Sequence, residues 1–445
     1  MKKKDVTGFS KLSKQGKLEW VAQNYFPNSE EVIKEFSDYW HPNANIQKQF
    51  DEFSENTITN YYMPFGVAPN FLINNEWYCV PMVIEESSVV AAAAKSAKFW
   101  STRGGFQAEI IDTKKIGQVH FLWNGDKQKF QTFFEYLKPV LIANAKPLTK
   151  NMEARGGGIL NIELIDFTHE EAGYYQLKST FETCDSMGAN FINSVLEDFA
   201  QTLKREAAQY EAFTEVEREV LIIMSILSNF TPECLVRVKV QCPIKDLGQV
   251  EQFSPEEFTR RFALGVRIAE IDTHRATTHN KGIFNGIDAV ILATGNDFRA
   301  VEAGGHTYAA RNGKYSSLTY FSSENNTFTY TLDIPLALGT VGGLTSLHPV
   351  VKRALQLLGN PGAKELMTIA AAVGLANNFA AVKAMVTVGI QKGHMKMHLL
   401  NILKTMNASE KEIEQAKHYF EHRIVSYKSV REFLEIVRSG KLELS

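Results

Sequence analysis

Apolar side chains recur along the middle of the chain with two different periods, one typical of strands and one typical of helices. Lys115–Trp123 reads as a strand, and apolar residues alternate with polar ones within 160–164 and 175–181. Asp126–Ala143 and residues 192–203 instead repeat apolar side chains every three or four positions, as a helix with one buried face does. The resulting order of strand, helix, strand, strand, helix predicts a ferredoxin-like α/β domain.

The segments on either side of this small domain predict a larger, mainly helical domain. Apolar residues have helical spacing in the N-terminal segment, and helices are predicted to dominate from Pro255 onward. Two capping-box patterns near the C-terminus, Ser409 with Glu412 and Ser429 with Glu432, predict a short helical appendix. The predicted fold class is therefore α+β. The predicted ranges are 1–108 and 219–390 for the large domain, 109–218 for the inserted small domain and 391–445 for the appendix.

Composition and charge exclude several classes of protein. The 48 Lys and Arg residues balance 50 Asp and Glu residues, whereas nucleic-acid-binding proteins normally carry a basic excess. The four cysteines form no CxxC pair, which argues against a cysteine zinc site and indicates a reduced, cytoplasmic protein. The most apolar segment, Ala370–Ile390, contains Asn377, Asn378 and Lys383. These residues are costly in lipid, so a buried helix is favoured over a membrane span.

Two clusters of polar residues are candidates for a binding or catalytic site. Asp185–Asn190 lies between a predicted strand and a predicted helix, where free backbone N–H groups attract anions such as a diphosphate. An ordinary capped loop fits this pattern equally well. Lys281 and Asp297 bracket the apolar segment Ile283–Ala293 and are expected to meet at one end of it. A Lys–Asp pair is more often structural, so the spacing alone leaves both interpretations open.

Two further sites are candidates for acid–base catalysis, and for each of them a role without catalysis also explains the sequence. Glu85 and Glu86 precede a predicted helix, where carboxylates complement the helix dipole, but in a dry pocket one of them would serve as a proton donor. His394 lies between the apolar segment and the appendix, where it would either donate a proton after a hinge movement or simply face solvent. The pattern of residues decides neither case.

Taken together, these clusters resemble the motifs of 3-hydroxy-3-methylglutaryl-coenzyme A (HMG-CoA) reductases, specifically the soluble bacterial class. The resemblance extends from about Glu55 to His398, which is most of the chain. The motifs stand in the family's order, and they are Glu55-Asn56, Pro81–Glu86, Asp185–Asn190, Thr278–Gly282, Asn285–Asp288, Ala293–Asp297 and Gly389–Met395. So many blocks in one order make the resemblance specific.

The resemblance implies reduction of HMG-CoA to mevalonate and coenzyme A, through mevaldehyde, with two molecules of NADPH or NADH and no metal. It also implies four catalytic residues. Lys281 would stabilise the negative charge that develops on the carbonyl oxygen, and Glu86 would supply a proton to it. Asp297 would hydrogen-bond to both, and His394 would protonate the departing thiolate when the C-terminal appendix closes as a flap.

Binding roles and the assembly follow from the resemblance in the same way. The small domain would bind the dinucleotide through Asp185, Met187, Gly188, Ala189 and Asn190. The acyl-CoA would contact Arg275, Asn285, Ser87 and Ser88. The active sites would form between the subunits of a homodimer or of a higher oligomer built from dimers. Lys146–Lys150 contains no acidic residue that would repel a 2′-phosphate, which predicts tolerance of NADPH.

Two alternatives remain open from the sequence. The same site would also oxidise mevalonate with NAD and coenzyme A, because one site catalyses a reaction in both directions. A catalytically silent acyl-CoA-binding protein of the same fold is the second alternative, although the retention of all four catalytic residues argues against it.

Overall fold

The computed structural model of the chain describes residues 5–389, 399–420, 423 and 425–439. Its N-terminal part contains four helices, a hairpin of two antiparallel strands and a short third strand. In chain order these elements are α1 (Lys14–Tyr25), α2 (Ser29–Asp38), α3 (Ala44–Asp51), β1 (Phe65–Ile73), β2 (Glu76–Val83), α4 (Ser87–Ser101) and β3 (Gln107–Ile110). The hairpin turns at Asn74-Asn75, and both residues have the positive φ angles of a tight turn.

A four-stranded antiparallel sheet follows, with its helices packed on one face. Its elements are β4 (Lys115–Leu122), α5 (Lys127–Asn144), α6 (Lys146–Glu153), β5 (Gly158–Asp166), β6 (Tyr174–Glu182), α7 (Ala189–Gln209) and β7 (Leu221–Leu227). The spatial order β5-β6-β4-β7 confirms the predicted ferredoxin-like topology. The fourth strand, β7, lies beyond the predicted boundary at residue 218. Its residues are nearly all apolar, so the sequence lacks the alternation of apolar and polar residues that predicts a strand.

The second half of the large domain adds helices and a second sheet. The elements are β8 (Leu235–Pro243), α8 (Pro255–Ile271), α9 (Thr273–Ala293), α10 (Phe298–Ala309), β9 (Thr319–Ser322), β10 (Thr327–Pro335), α11 (Leu344–Leu347), α12 (Pro349–Leu357) and α13 (Ala363–Val386). Strands β8, β9 and β10 join the earlier β3 in an antiparallel sheet of order β3-β8-β10-β9. Helices therefore dominate after Pro255 as predicted, but two strands interrupt them.

Helix α13 lies at the centre of the large domain, in contact with α4, α8, α9 and the second sheet. Gly286 of α9 and Gly374 of α13 allow these two helices to approach closely, since a Cβ on Gly286 would lie 2.6 Å from the carbonyl oxygen of Val373. Among the described residues, α13 is the one helix long and apolar enough to cross a membrane, and 67% of its most apolar window is buried inside the protein. The predicted buried helix over Ala370–Ile390 is thus observed, ending at Val386.

The C-terminal residues form a small helical unit with its own apolar cluster. Residues 399–405 are helical and pack with α14 (Glu410–Tyr419) and α15 (Tyr427–Arg438). The predicted capping box of Ser409 and Glu412 is present at the start of α14. The second predicted box was wrong by three residues, because Ser426 caps α15 and Ser429 takes the third helical position.

Candidate functional site

Lys281 and Glu86 come together at the junction of β2, α4 and α9. The distance from Lys281 Nζ to Glu86 Oε2 is 3.4 Å, and Ser88 Oγ donates a hydrogen bond to Glu86 Oε1 at 3.0 Å. Glu86 occupies the N-cap position of α4, and its side chain does not cap the helix. Its carboxylate is therefore directed to Lys281. In the single chain the Lys281 side chain is 63% exposed and that of Glu86 is 36% exposed.

A fully buried hydrogen-bond network lies beneath Lys281 and fixes the rotation of α9. His279 Nε2 lies 2.6 Å from Thr319 Oγ1, and Asn378 of α13 donates to the backbone carbonyl of His279 at 2.7 Å. Tyr330 of β10 bonds both Thr319 and Asn378. Burial, followed by the charge of nearby Arg275, lowers the pKa of His279 to about 3, so the ring is neutral at physiological pH. The network therefore holds α9 without adding a charge below Lys281.

Asp297 does not meet Lys281 within the single chain, contrary to the prediction from spacing. The apolar segment Ile283–Ala293 is the C-terminal part of α9, a helix of 21 residues, and Lys281 lies about 18 Å from the C-terminal end of that helix along the axis. Asp297 caps α10, accepting from the backbone N–H groups of Arg299 and Ala300. Its carboxylate also forms a bidentate pair with the Arg299 guanidinium, both contacts being 3.0 Å. Burial raises the pKa of Asp297, but the Arg299 hydrogen bond and the N–H groups outweigh it and lower the pKa.

The predicted substrate-binding residues lie on α4 and α9, the two helices that meet at the Lys281–Glu86 pair. Ser87 and Ser88 begin α4 beside Glu86. Asn285 follows Lys281 by four residues, one helical turn, and therefore projects from the same face of α9. Arg275 belongs to the first turns of α9, and burial lowers its pKa. Its guanidinium lies 3.4 Å from the sulfur of Met385, near the end of α13. His394 falls outside the described residues.

The loop Asp185–Asn190 connects β6 to α7, as predicted. Gly188 is the N-cap of α7 with a φ of 92°, and a Cβ there would lie 2.5 Å from the Thr183 side chain, so the conformation requires glycine. No side chain caps this helix, and its first N–H groups remain open to an acceptor. The uncapped N-terminus of a 21-residue helix suits the diphosphate of a dinucleotide.

Lys115 is a contributor to this loop that the sequence analysis missed. Its ammonium group donates hydrogen bonds to Thr183 Oγ1 and, at 3.3 Å, to the carbonyl of Ser186, although the residue is only 4% exposed. In the described part of the chain, no carboxylate lies within ion-pair distance of it. The signal was present in the sequence, because Lys115 has the strand parity of the buried Val119 and Phe121, so its side chain lies on the covered face of β4. Lys115 thus places a positive charge beneath the predicted dinucleotide loop.

The described residues contain no group of three His, Cys, Asp or Glu side chains placed to hold a metal ion.

One pair of acidic residues, outside the Lys281–Glu86 pair, lies partly buried between α9 and α10. Asp288 of α9 faces Glu302 of α10, and one Asp288 oxygen is buried without a hydrogen-bond partner. Burial, then the charge of Glu302, raises the pKa of Asp288 from 3.8 to about 8. One proton is therefore retained between these helices at neutral pH.

Replacing Asp288 with asparagine is expected to flatten the dependence of stability on pH. Between about pH 4 and pH 8 the folded protein keeps a proton that the unfolded chain has released, so the free energy of unfolding falls as the pH rises through this window. The variant should lose most of this slope and be more stable than the parent at pH 8 by roughly 1–3 kcal/mol. Urea unfolding from pH 5 to pH 8.5 measures this. Asp38→Asn, an exposed change on α2, is the control, and equal slopes for Asp288→Asn and the parent would contradict the assignment.

Comparison with known sequences supports one family over most of the chain. The profile described as hydroxymethylglutaryl-coenzyme A reductase matches residues 15–399. The 3-hydroxy-3-methylglutaryl-coenzyme A reductase of Archaeoglobus fulgidus is 35% identical over 414 residues, which are 92% of this chain and 89% of that protein. A probable enzyme of the same name from Borreliella burgdorferi is 32% identical over 91% of this chain and 90% of its own length.

Solved structures support the same family. A 3-hydroxy-3-methylglutaryl-coenzyme A reductase from Streptococcus pneumoniae superposes with a TM-score of 0.71 at 32% identity, covering 98% of this chain and all (100%) of the other. A structure of the class II enzyme from the same organism, bound to NADPH in open conformations, gives a TM-score of 0.70 at 33% identity over 86% of this chain. The chain therefore belongs to the HMG-CoA reductase family. Within the family it resembles the class II enzyme of Streptococcus pneumoniae in both sequence and fold.

Proposed function

We propose that this chain reduces HMG-CoA to mevalonate and free coenzyme A with two molecules of NADPH. The observation that carries the proposal is the Lys281–Glu86 pair, which brings an ammonium group and a carboxyl group from two separate elements within 3.4 Å of each other. Family membership supplies the substrate class. Formation of mevalonate from HMG-CoA, followed by chromatography of the product, tests the proposal, and the reverse reaction with mevalonate and coenzyme A tests its direction.

Each of the two reductions places negative charge on a carbonyl oxygen, and the site must stabilise that charge. The dinucleotide, when bound, supplies hydride to a carbonyl carbon, and the carbonyl oxygen then gains negative charge. The ammonium group of Lys281 stabilises that charge, and Glu86 delivers the proton that turns the aldehyde oxygen into a hydroxyl group. Between the two reductions the C–S bond breaks and the thiolate takes a proton, a role we assign to His394 from the family motif. The C-terminal helices would act as the flap that brings this residue to the thiolate.

For the dinucleotide, we propose the loop from Asp185 to Asn190 as the binding element. The open N–H groups of α7 and the buried charge of Lys115 both favour the diphosphate. The nearby α6 begins with Lys146 and includes Lys150, and neither would repel the 2′-phosphate of NADPH. Kinetic constants measured with NADPH and NADH rank the two cofactors, and a strong preference for NADH would contradict the assignment of α6.

Two half-sites in one chain support a homodimer. One half-site holds Lys281 and Glu86, and the other holds Asp297 and the dinucleotide loop, with about 18 Å of α9 between them. The first half-site is also open to solvent, which weakens its electrostatic effect on a reacting carbonyl. A two-fold dimer would solve both problems, because the first half-site of one subunit would face the second half-site of its partner.

Mixing two inactive variants tests this arrangement directly. Lys281→Ala removes the first half-site and Asp297→Asn disables the second. When the two chains are co-expressed, half of the dimers should be mixed, and each mixed dimer should contain one intact site, so about a quarter of the wild-type activity should return. Each variant expressed alone is the control. A mixture as inactive as its parents would contradict a site shared between subunits.

A further inference from the structure

The dinucleotide loop of the small domain is fastened to the large domain by hydrogen bonds of Asp185. The backbone carbonyl of Asp185 accepts a hydrogen bond from Thr340 N at 2.8 Å, and the side-chain Oδ1 of Asp185 accepts one from Ala363 N at 2.7 Å. Ala363 is the first residue of α13, and the N-cap of that helix, Gly362, has no side chain to satisfy its free N–H groups. Asp185 therefore caps the central helix of the other domain.

Gly339 occupies the tightest point of the same junction. A Cβ at this position would lie 2.5 Å from the backbone nitrogen of Met187 and 3.3 Å from the carbonyl oxygen of Asp185. Real Cβ atoms do not approach backbone atoms so closely, so any side chain at 339 would displace the loop. The Gly339 N–H itself donates to Asn296 Oδ1 at 2.8 Å.

These contacts form one continuous path from the cofactor loop to a proposed catalytic residue. Asn296 immediately precedes Asp297, which caps α10. The path runs from Asp297 through Asn296 to the backbone of Gly339 and Thr340, and from there to Asp185. Every link is a backbone or side-chain hydrogen bond below 3 Å or a covalent neighbour, so a displacement of the loop would strain the bonds that connect it to the backbone beside Asp297.

We propose that Gly339 and Asp185 are positioning residues that set the affinity for the dinucleotide and align it with Asp297. This inference rests on the proposed function, since it assumes that the loop binds NADPH. Neither residue has to touch the acyl-CoA. We call the contacts among Asp185, Gly339, Thr340 and Asn296 the latch. A substitution that displaces the latch should therefore weaken binding of the dinucleotide much more than binding of the acyl-CoA.

Gly339→Ala tests the latch from the large domain. Because the added methyl group pushes Met187 away, the KM for NADPH should rise by about tenfold or more, while the KM for HMG-CoA stays within about twofold. The dissociation constant of NADPH, measured on the dimer by fluorescence titration, should rise by the same factor. Gly16→Ala in α1, where a Cβ meets only its own Ser13 and Leu12, is the matched control and should change neither constant.

Asp185→Asn and Asp185→Ala test the latch from the small domain. Asparagine keeps an oxygen that accepts from Ala363 N, whereas alanine removes it, so the alanine variant should lose more NADPH affinity than the asparagine variant. Thermal unfolding of each variant identifies general destabilisation. Equal increases in both KM values, or NADPH affinity unchanged in Gly339→Ala, would overturn the proposal.

The same measurements separate this inference from the proposed function. If the wild-type protein neither binds NADPH nor reduces HMG-CoA, the proposed function fails. If the wild-type protein is active and Gly339→Ala matches it in NADPH affinity, the function stands and the latch is wrong.

Discussion

Replacing Lys281 with alanine is expected to lower kcat/KM for HMG-CoA by a factor of about 100 to 1,000. Its ammonium group is the cation that lies 3.4 Å from Glu86, and without it the charge on the carbonyl oxygen is left to solvent and to neighbouring dipoles. The side chain is 63% exposed, so its removal should leave the fold unaffected. Steady-state kinetics with NADPH and thermal unfolding measure the two effects.

Binding measurements on the same variant decide between an enzyme and a silent binding protein. Affinity for HMG-CoA and NADPH should persist in Lys281→Ala, since the ammonium group acts on charge that develops during the reaction. Lys34→Ala, an exposed change on α2, is the control for the loss of a surface charge. Equal activity of Lys281→Ala and Lys34→Ala would contradict the assignment of Lys281 as a catalytic residue.

Replacing Glu86 with glutamine should be nearly as severe, with kcat lowered by a factor of about 100 or more. Glutamine has the same shape and still accepts from Ser88, but it has no proton to deliver to the oxygen of the aldehyde. The KM for HMG-CoA should change little, because the loss falls on the reaction and not on binding. Initial rates are measured over a range of HMG-CoA concentrations and then, in a second experiment, with mevaldehyde as the substrate. A low rate with mevaldehyde locates the loss at the second reduction.

The adjacent Glu85 provides a matched control for this substitution. Glu85→Gln makes the same chemical change one residue earlier, at an exposed position that no catalytic role uses. It should retain close to full activity. A Glu85→Gln variant as impaired as Glu86→Gln would show that the charge of the segment, and not the Glu86 carboxyl group, supports catalysis.

The small domain could be predicted because its elements have clear periods. In β4, Val119 and Phe121 alternate with polar residues, and in α5 the buried Phe130, Phe134 and Leu137 follow a helical stripe. One covered face on each element makes the period visible in the sequence. The edge strand β7 has no such contrast, since apolar side chains lie on both of its faces, and it was missed.

The proposed catalytic pair could be found only through the family motifs. Glu86 and Lys281 are 195 residues apart in the chain, and no local pattern reports a contact between β2, α4 and α9. Spacing was misleading for Asp297, because Lys281 and Ile283–Ala293 belong to one continuous helix, α9. Lys281 therefore lies in the middle of that helix and not at the end next to Asp297. The pairing with Arg299 depends on the N-cap geometry of α10, which brings a side chain two residues away onto the Asp297 carboxylate.

The ratio of NADPH oxidised to coenzyme A released tests the central claim most directly. The purified protein is mixed with limiting HMG-CoA and excess NADPH, the fall in nicotinamide absorbance is followed to completion, and the free thiol is titrated. The account predicts two NADPH oxidised for each thiol released, since a thioester is reduced to an alcohol by two hydrides. A ratio of one, or thiol release without any oxidation of NADPH, would contradict a four-electron reductase built around Lys281 and Glu86.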